Sequence, residues 1–411
     1  MCGARFCNDR TAAVNEIALG TTAFVELLGA AVLVAIVAER IHLPAAVALV
    51  GFGAIVSSSA PIDLPFTFGP ALLFIFLPPL IFEAAWNLDP GALRRMAWSI
   101  AILAVPGVLL TTGVIALGLS AGGQLPPIAA FMFGAIVSAT DPVGVIAIFR
   151  RLNVPLDLVT LVEGESIAND GVAIALYGIA LALAATPPAS DLWTLGWAAA
   201  LGVIGGTSVG IAAAAVIGLA IRGARERSVE LTATIVLAFS AYGVASSLQF
   251  SGVFAAAAAG ITLRAMRHFV LTAQAPEDID RFWEVIAFVA NAVVFLATGL
   301  VLQLPRLLHE PLLVACAIAV VFLSRALLAF GFLPLLATAP LAAGWRATAF
   351  FAGMRGALSL ALALGLPAQF PYRREVVDAT FAIVLATLVL QGATIEPFLK
   401  RLHLDGQSRP L

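Results

Sequence analysis

The stretch Glu163-Gly164-Glu165-Ser166-Ile167-Ala168-Asn169-Asp170 sets three carboxylates, a hydroxyl and an amide inside an otherwise apolar run. On a helix of about 3.6 residues per turn, Ser166, Asn169 and Asp170 fall at i, i+3 and i+4 on one face, and Glu165 stacks on Asn169. Those groups offer hard oxygen ligands for a small cation, and a carboxylate that can carry a proton instead. The plainer reading is a polar patch that only pins helix packing. A second segment, Ser138-Ala139-Thr140-Asp141-Pro142, joins hydroxyls and a carboxylate to a proline. Pro142 cannot donate a backbone hydrogen bond and disfavours helical geometry at Asp141. Unwound backbone there frees carbonyls, which at membrane depth must line a cavity or bind something. Asp141 capping the second half of a kinked helix is compatible with that reading. The third segment, Leu77-Pro78-Pro79-Leu80-Ile81-Phe82-Glu83, ends on a glutamate that is either a ligand or a snorkelling side chain near the interface.

The elements that carry these residues are apolar helices. Of 411 residues, 61% are hydrophobic and 11% charged, with mean hydropathy +1.04. A soluble domain carries roughly 25% charge, so this surface is built for lipid. A net charge of −2 gives no basic face for nucleic acid. Apolar runs at 17–38, 44–59, 67–87, 97–120, 126–149, 156–184, 192–220, 229–247, 251–266, 281–303, 311–336, 344–366 and 377–399 predict an all-α polytopic membrane protein of about thirteen spans. The chain divides into a short extracytoplasmic N-terminus (1–16), a transmembrane domain (17–399) and a short cytoplasmic tail (400–411), with no soluble partner domain. Residues 1–16 lack the apolar core and cleavage site of a signal peptide, so the first run reads as a retained helix.

Basic residues orient the chain. Alternate loops hold Arg40, Arg94, Arg95, Arg150, Arg151, Arg222, Arg225, Arg227, Arg264, Arg267, Arg281, Arg346, Lys400, Arg401 and Arg409. The opposite loops hold only Arg5, Arg10, Arg306, Arg373 and Arg374. The positive-inside rule puts the N-terminus outside and the C-terminus in the cytoplasm. Span 6 then enters from the cytoplasm, and Asp170 lies roughly 20 Å along it, near mid-membrane.

Ionisable groups at that depth cost at least about 2.5–3.5 kcal/mol each and need partners. Five carboxylates (Glu83, Asp141, Glu163, Glu165 and Asp170) face two arginines within the spans, Arg325 and Arg355. The excess negative charge calls for cations or protons. Arg355, in Gly353-Met354-Arg355-Gly356, can neutralise one of the span 6 glutamates, and Arg325 competes for the same role. Glu26 stands alone in span 1 and reads as a packing or interface residue. The histidines (His42, His268, His309, His403) all sit at loops or helix ends, which excludes a midplane histidine relay or metal site. Three scattered cysteines form neither a disulfide framework nor a zinc cage. With no nucleophile–base pair in the spans, the chain does not read as an enzyme.

Thr140-Asp141-Pro142, Glu163-Gly164-Glu165-Ser166 running into Asn169-Asp170-Gly171, and Met354-Arg355-Gly356-Ala357-Leu358-Ser359 together resemble the monovalent cation:proton antiporter-1 family, which includes NhaP-type sodium/proton antiporters and the animal sodium/proton exchangers. The resemblance covers the membrane domain. It implies an inverted-repeat antiporter fold with crossed discontinuous helices at spans 5 and 12, a homodimer in lipid, and a bacterial inner-membrane location serving pH homeostasis and sodium tolerance. By similarity, Asp170 binds either cation or proton, and Asp141, Thr140, Ser166 and Glu83 complete or neighbour that site. Glu165 would pair with Arg355, and Asn169 would hold helix 6 against broken helix 5. Asn169, where electrogenic relatives have a second Asp, implies one cation exchanged for one proton. Glu163 beside Glu165 departs from the pattern and leaves open which acid takes which arginine. Sodium or lithium is the expected cargo, with no cofactor. Potassium/proton exchange on the same fold is the alternative, and a cation channel the more distant one.

Overall fold

The computed structural model describes residues 22, 24–41, 43–59, 70–185, 191–224, 226–301, 310–336 and 343–402. The expected N-terminal segment 1–16, the tail beyond 402, Cys2, Cys7, His42, His309 and His403 lie outside them. The described chain is helical throughout. It begins with α1 (24–40), α2 (Ala45–Ser59) and α3 (Pro70–Asn87). A long span follows as α4 (Pro90–Ala104) and α5 (Pro106–Ala121), interrupted at Val105 where Pro106 starts the second part. A broken span, α6 (Pro127–Ser138) and α7 (Val143–Leu152), leads into α8 (Leu156–Ala185), α9 (Leu192–Ile221), α10 (Arg227–Ser247), α11 (Gly252–Val270) and α12 (Ala275–Val301). Helix α13 (Pro311–Ala326) runs on through a π-helical turn at Leu327–Phe332. A second broken span, α14 (Ala343–Phe351) and α15 (Ala357–Leu364), precedes α16 (Arg373–Arg401). Nine helical segments among the described residues are long and apolar enough to cross a membrane, and two shorter apolar helices accompany them.

Several helices begin earlier than hydropathy alone predicts. The predicted span 97–120 starts instead at Pro90, because Asp89 accepts from the Ala92 N–H at 2.8 Å and Pro90 is preorganised for the first turn. Arg94 and Arg95 therefore ride on a helix, Arg95 pairing with Asp157 of α8. The predicted span 281–303 likewise starts at Ala275, with acidic Glu277 and Asp278 in its first turn, where the helix dipole favours them.

Burial follows the membrane. Trp193 is 79% exposed and Leu117 72%, on outward apolar faces of the kind that lipid or a second copy covers. The inner faces pack α5 on α6, α4 on α8, α2 on α12, and α9 and α3 on α11. Trp86, at the end of α3, is fully buried and donates from Nε1 to Asp280 of α12 at 2.5 Å, while Arg264 lies 5.0 Å over its ring. That contact fastens the turn of α3 that carries Glu83 to the start of α12.

Candidate functional site

The two broken spans meet at their breaks. The Asp141 N–H donates to the Met354 carbonyl at 2.8 Å. The Asp141 carboxylate accepts from Val143 N–H at 3.1 Å through Oδ1, and from Ala357 N–H at 3.4 Å through Oδ2. One carboxylate thus caps the N-termini of both α7 and α15, where unpaired N–H groups and the helix dipoles favour negative charge. The opposite ends are served by arginines. Arg355 donates from Nη1 to the Ser138 and Ala139 carbonyls at 3.0 and 3.2 Å, at the C-terminus of α6. Arg325 donates from Nε to the Ala349 carbonyl at 3.0 Å, in the last turn of α14. Ser359 of α15 adds a bond to the Ile136 carbonyl at 2.9 Å.

The pairing of Glu165 with Arg355, implied by the family resemblance, is corrected by this geometry. Arg325 takes Glu165 in a two-pronged ion pair, Nη1 to Oε1 and Nη2 to Oε2, the latter at 3.1 Å. Both side chains are at least nine-tenths buried. Arg355, also buried, spends its guanidinium on the α6 carbonyls. Close approach makes both arrangements feasible. A Cβ on Gly353 would meet the Arg325 guanidinium, and a Cβ on Gly356 would overlap the Asp141 carboxylate. Gly356→Ala should accordingly displace Asp141 and destabilise the protein by about 1–3 kcal/mol, read as a lowered melting temperature together with reduced transport.

Helix α8 holds the unwound segment of the first broken span from one side. Ser166 Oγ donates to the Thr140 carbonyl at 2.6 Å, Asn169 Nδ2 donates to Thr140 Oγ1 at 2.7 Å, and the Thr140 N–H donates to Asn169 Oδ1 at 3.3 Å. Every polar group of Thr140 is engaged by α8. The helix divides its polar residues between two surroundings. Glu163, Ser166 and Asp170 line a cavity of about 1050 Å³, together with Glu83, Thr140 and Asp141. Glu165 and Asn169 are not in its lining and serve the protein interior instead. The one-face grouping of Ser166, Asn169 and Asp170 is therefore split: Ser166 and Asp170 look into the cavity, while Asn169 faces the backbone of the break.

Among the carboxylates of this cluster, Asp170 is the exception. Its Oδ1 is buried and takes no hydrogen bond from the described groups. Buried carboxylate oxygens are normally paired, so this atom is open to a ligand. The Asp141 carboxylate acts on it electrostatically. Glu83 belongs to a different neighbourhood. It accepts from Asn87 Nδ2 at 2.5 Å and interacts with Glu163, Arg150 and Glu284 rather than with Asp170. The cavity thus has an inner acidic pair, Asp141 and Asp170, and an outer pair, Glu83 and Glu163.

Sequence reasoning missed the outer wall. Arg150, Arg151, Glu39, Glu284, Glu396 and Asn291 also line the cavity. In sequence, Arg150 and Arg151 read only as loop charges that orient the chain. The available signal was the density of acids and bases around the ends of the predicted spans 5, 10 and 13. Glu26, expected in a packing or interface role, is exposed on α1, away from this cavity.

A family model described as the transmembrane part of sodium/hydrogen exchangers matches residues 28–401. The chain is 33% identical over 347 residues to the low-affinity Na(+)/H(+) antiporter NhaS1 of Synechocystis sp., covering 82% of this chain and 65% of that protein. It is 32% identical over 351 residues to the Na(+)/H(+) antiporter NhaP of Pseudomonas aeruginosa, covering 82% of each. It is 30% identical over 408 residues to the Na(+)/H(+) antiporter NhaH of Halobacillus aidingensis, covering 92% of this chain and 96% of that one. The chain spans just under two thirds of the length of NhaS1 and of a second cyanobacterial relative, ApNhaP of Aphanothece halophytica. In fold it matches the sodium proton antiporter MjNhaP1 of Methanocaldococcus jannaschii at pH 8, with a TM-score of 0.77 and 21% identity over 95% of this chain and all of that one.

Proposed function

This chain belongs to the sodium/hydrogen exchanger family, and we propose from that premise that it exchanges sodium or lithium for protons across a membrane. The carrying observation is Asp170, a cavity-lining carboxylate whose buried Oδ1 has no partner among the described residues. A cation and a proton cannot both neutralise one carboxylate. Competition for Asp170 therefore couples the two fluxes without a separate gate. Only the neutralised site crosses the apolar barrier cheaply, so the empty, ionised carrier does not leak. The cavity lining supports cation over anion: seven carboxylates face it against two guanidinium groups. Thr140, Ser166 and Asp141 stand beside Asp170, with Thr140 and Asp141 already held by backbone and α8 contacts. Their part is to shape the site, and Glu83 and Glu163 form its approach. Asn169 is engaged with Thr140 and leaves Asp170 as the single exchanging carboxylate of that turn, which supports one-for-one, electroneutral exchange. As a multi-pass membrane protein of a transporter family, the chain has no catalytic role in this reading.

We further propose thirteen crossings arranged as inverted repeats, with α6–α7 and α14–α15 crossing at their breaks, and a homodimer in the bacterial inner membrane. The bridged breaks and the nine long spans, with the shorter apolar helices beside them, support the first part. The basic residues favour a cytoplasmic C-terminus, and with it the reading that the cavity opens to that side past the half-exposed Arg150 and Arg151.

The test uses purified protein in liposomes with an imposed pH gradient, titrated with sodium, lithium and potassium over roughly pH 6 to 9. Sodium or lithium should dissipate the gradient, with a bell-shaped pH response because protons displace cations at one end and fail to reload at the other. Clamping the membrane potential at different values should leave the rate unchanged. Response to potassium alone would change the cargo. No response to any cation would sink the reading.

A further inference from the structure

We infer that Arg150 is a tethered cation that occupies the outer carboxylates of the cavity until a transported cation displaces it, and so sets the apparent affinity for cargo. The inference rests on the exchange reading above. Arg150 lies at the end of α7, with Nη2 3.7 Å from Glu163 Oε1. Its side chain is half exposed, whereas that of Glu163 is only 9% exposed. Arg150 also acts electrostatically on Glu83, which faces Glu163 across the cavity from α3. The second guanidinium of the lining, Arg151, is committed elsewhere: it is ion-paired with Glu396, which Lys400 also holds at 2.8 Å. Among the described lining residues, Arg150 is the only positive charge left facing the outer acids.

The spacing along α8 gives this a consequence. Glu163, Ser166 and Asp170 are the successive polar residues that α8 turns to the cavity over two turns, about 10 Å in all. A cation moving from the mouth to Asp170 passes the outer pair first. An unopposed pair of carboxylates there would hold that cation and slow its transfer inward. A guanidinium on a flexible stem competes for the same oxygens, then swings into water when displaced, since half of its surface already lies there. Its effect is to weaken cargo binding while keeping the carboxylates in place.

The test pairs sodium binding, measured by calorimetry on the purified chain in detergent, with exchange in inverted vesicles. Arg150→Gln should lower both the dissociation constant and the apparent KM for sodium by about three- to fivefold, the range of a partly exposed ion pair, with kcat equal to or below wild type. Arg150→Lys should restore wild-type KM. Arg95→Gln, which removes an equal charge on the same face from a pair with Asp157, should leave KM unchanged. In a Glu163→Gln background, Arg150→Gln should shift KM by less than it does in the wild type, because only Glu83 of the outer pair then remains for it to neutralise. An unchanged or raised KM in Arg150→Gln overturns the inference, and so does an equal fall in Arg95→Gln, which would mean general surface charge. A wild-type chain that neither binds sodium nor exchanges it fails earlier, at the exchange reading itself.

Discussion

Asp170→Asn should reduce cation-driven proton flux to the background of empty liposomes, while the protein folds and melts at or slightly above the wild-type temperature. Asparagine keeps the size and polarity of aspartate but can neither bind a proton nor balance a cation. The substitution touches no protein hydrogen bond at Oδ1, which has none among the described groups. It also removes a buried charge beside Asp141, so no stability is lost with it. Flux should be measured with sodium and with lithium, alongside a melting curve. Residual sodium-driven exchange in well-folded Asp170→Asn would falsify the competition mechanism, because a second carboxylate would then have to carry the coupling. Asn169→Ala makes a useful contrast: it breaks two bonds to Thr140, so it should lower stability along with activity.

Arg325→Met should be the most damaging single change to stability, at about 3–5 kcal/mol. The guanidinium satisfies both oxygens of buried Glu165 and the Ala349 carbonyl at once. Removing it strands a carboxylate in the protein interior. The double variant Arg325→Met/Glu165→Met should recover most of the loss, since replacing both partners of a buried pair by apolar side chains is often close to neutral. Chemical or thermal unfolding in detergent decides the matter. If the double variant is as unstable as the single, the arginine acts through its cap on α14 rather than through Glu165. Arg355→Met should also destabilise, through two uncapped carbonyls of α6, yet Glu165→Met should not rescue it.

The fold was legible because hydropathy and charge alternate along the chain, and those are properties of single helices. The densest acidic run, the Asp-Pro break and the glycine-flanked Arg355 pointed to α8 and the two broken spans for the same reason: each is local. What was not legible lies between helices. Helical spacing groups Ser166, Asn169 and Asp170 within an arc of roughly 100°, but whether that arc faces cavity or protein depends on where α6 and α7 sit. Asn169 turns out to face the break and Asp170 the cavity. The arginine pairing failed similarly. Arg355 lies on the break and Arg325 on a neighbouring helix, and only the tertiary fold, with Gly353 admitting the guanidinium, decides that Arg325 reaches Glu165. Glu83 had a helix from sequence, but its place beside Glu163 depends on how α3 packs against α8 and α12.

The doubly capping Asp141 has a bearing on how such a chain is made. Its second N–H donor, Ala357, is 216 residues downstream, as are the Arg355 donors to Ser138 and Ala139 at a similar separation. Glu165 waits for an arginine 160 residues later. During synthesis the first half of the protein must therefore reach the bilayer with a carboxylate, a glutamate and two backbone carbonyls still lacking their final partners. Until the second half is inserted, water or the insertion machinery has to solvate them. Assembly of the two halves then joins close apolar packing, which both contribute to, with these few deferred polar contacts at the centre.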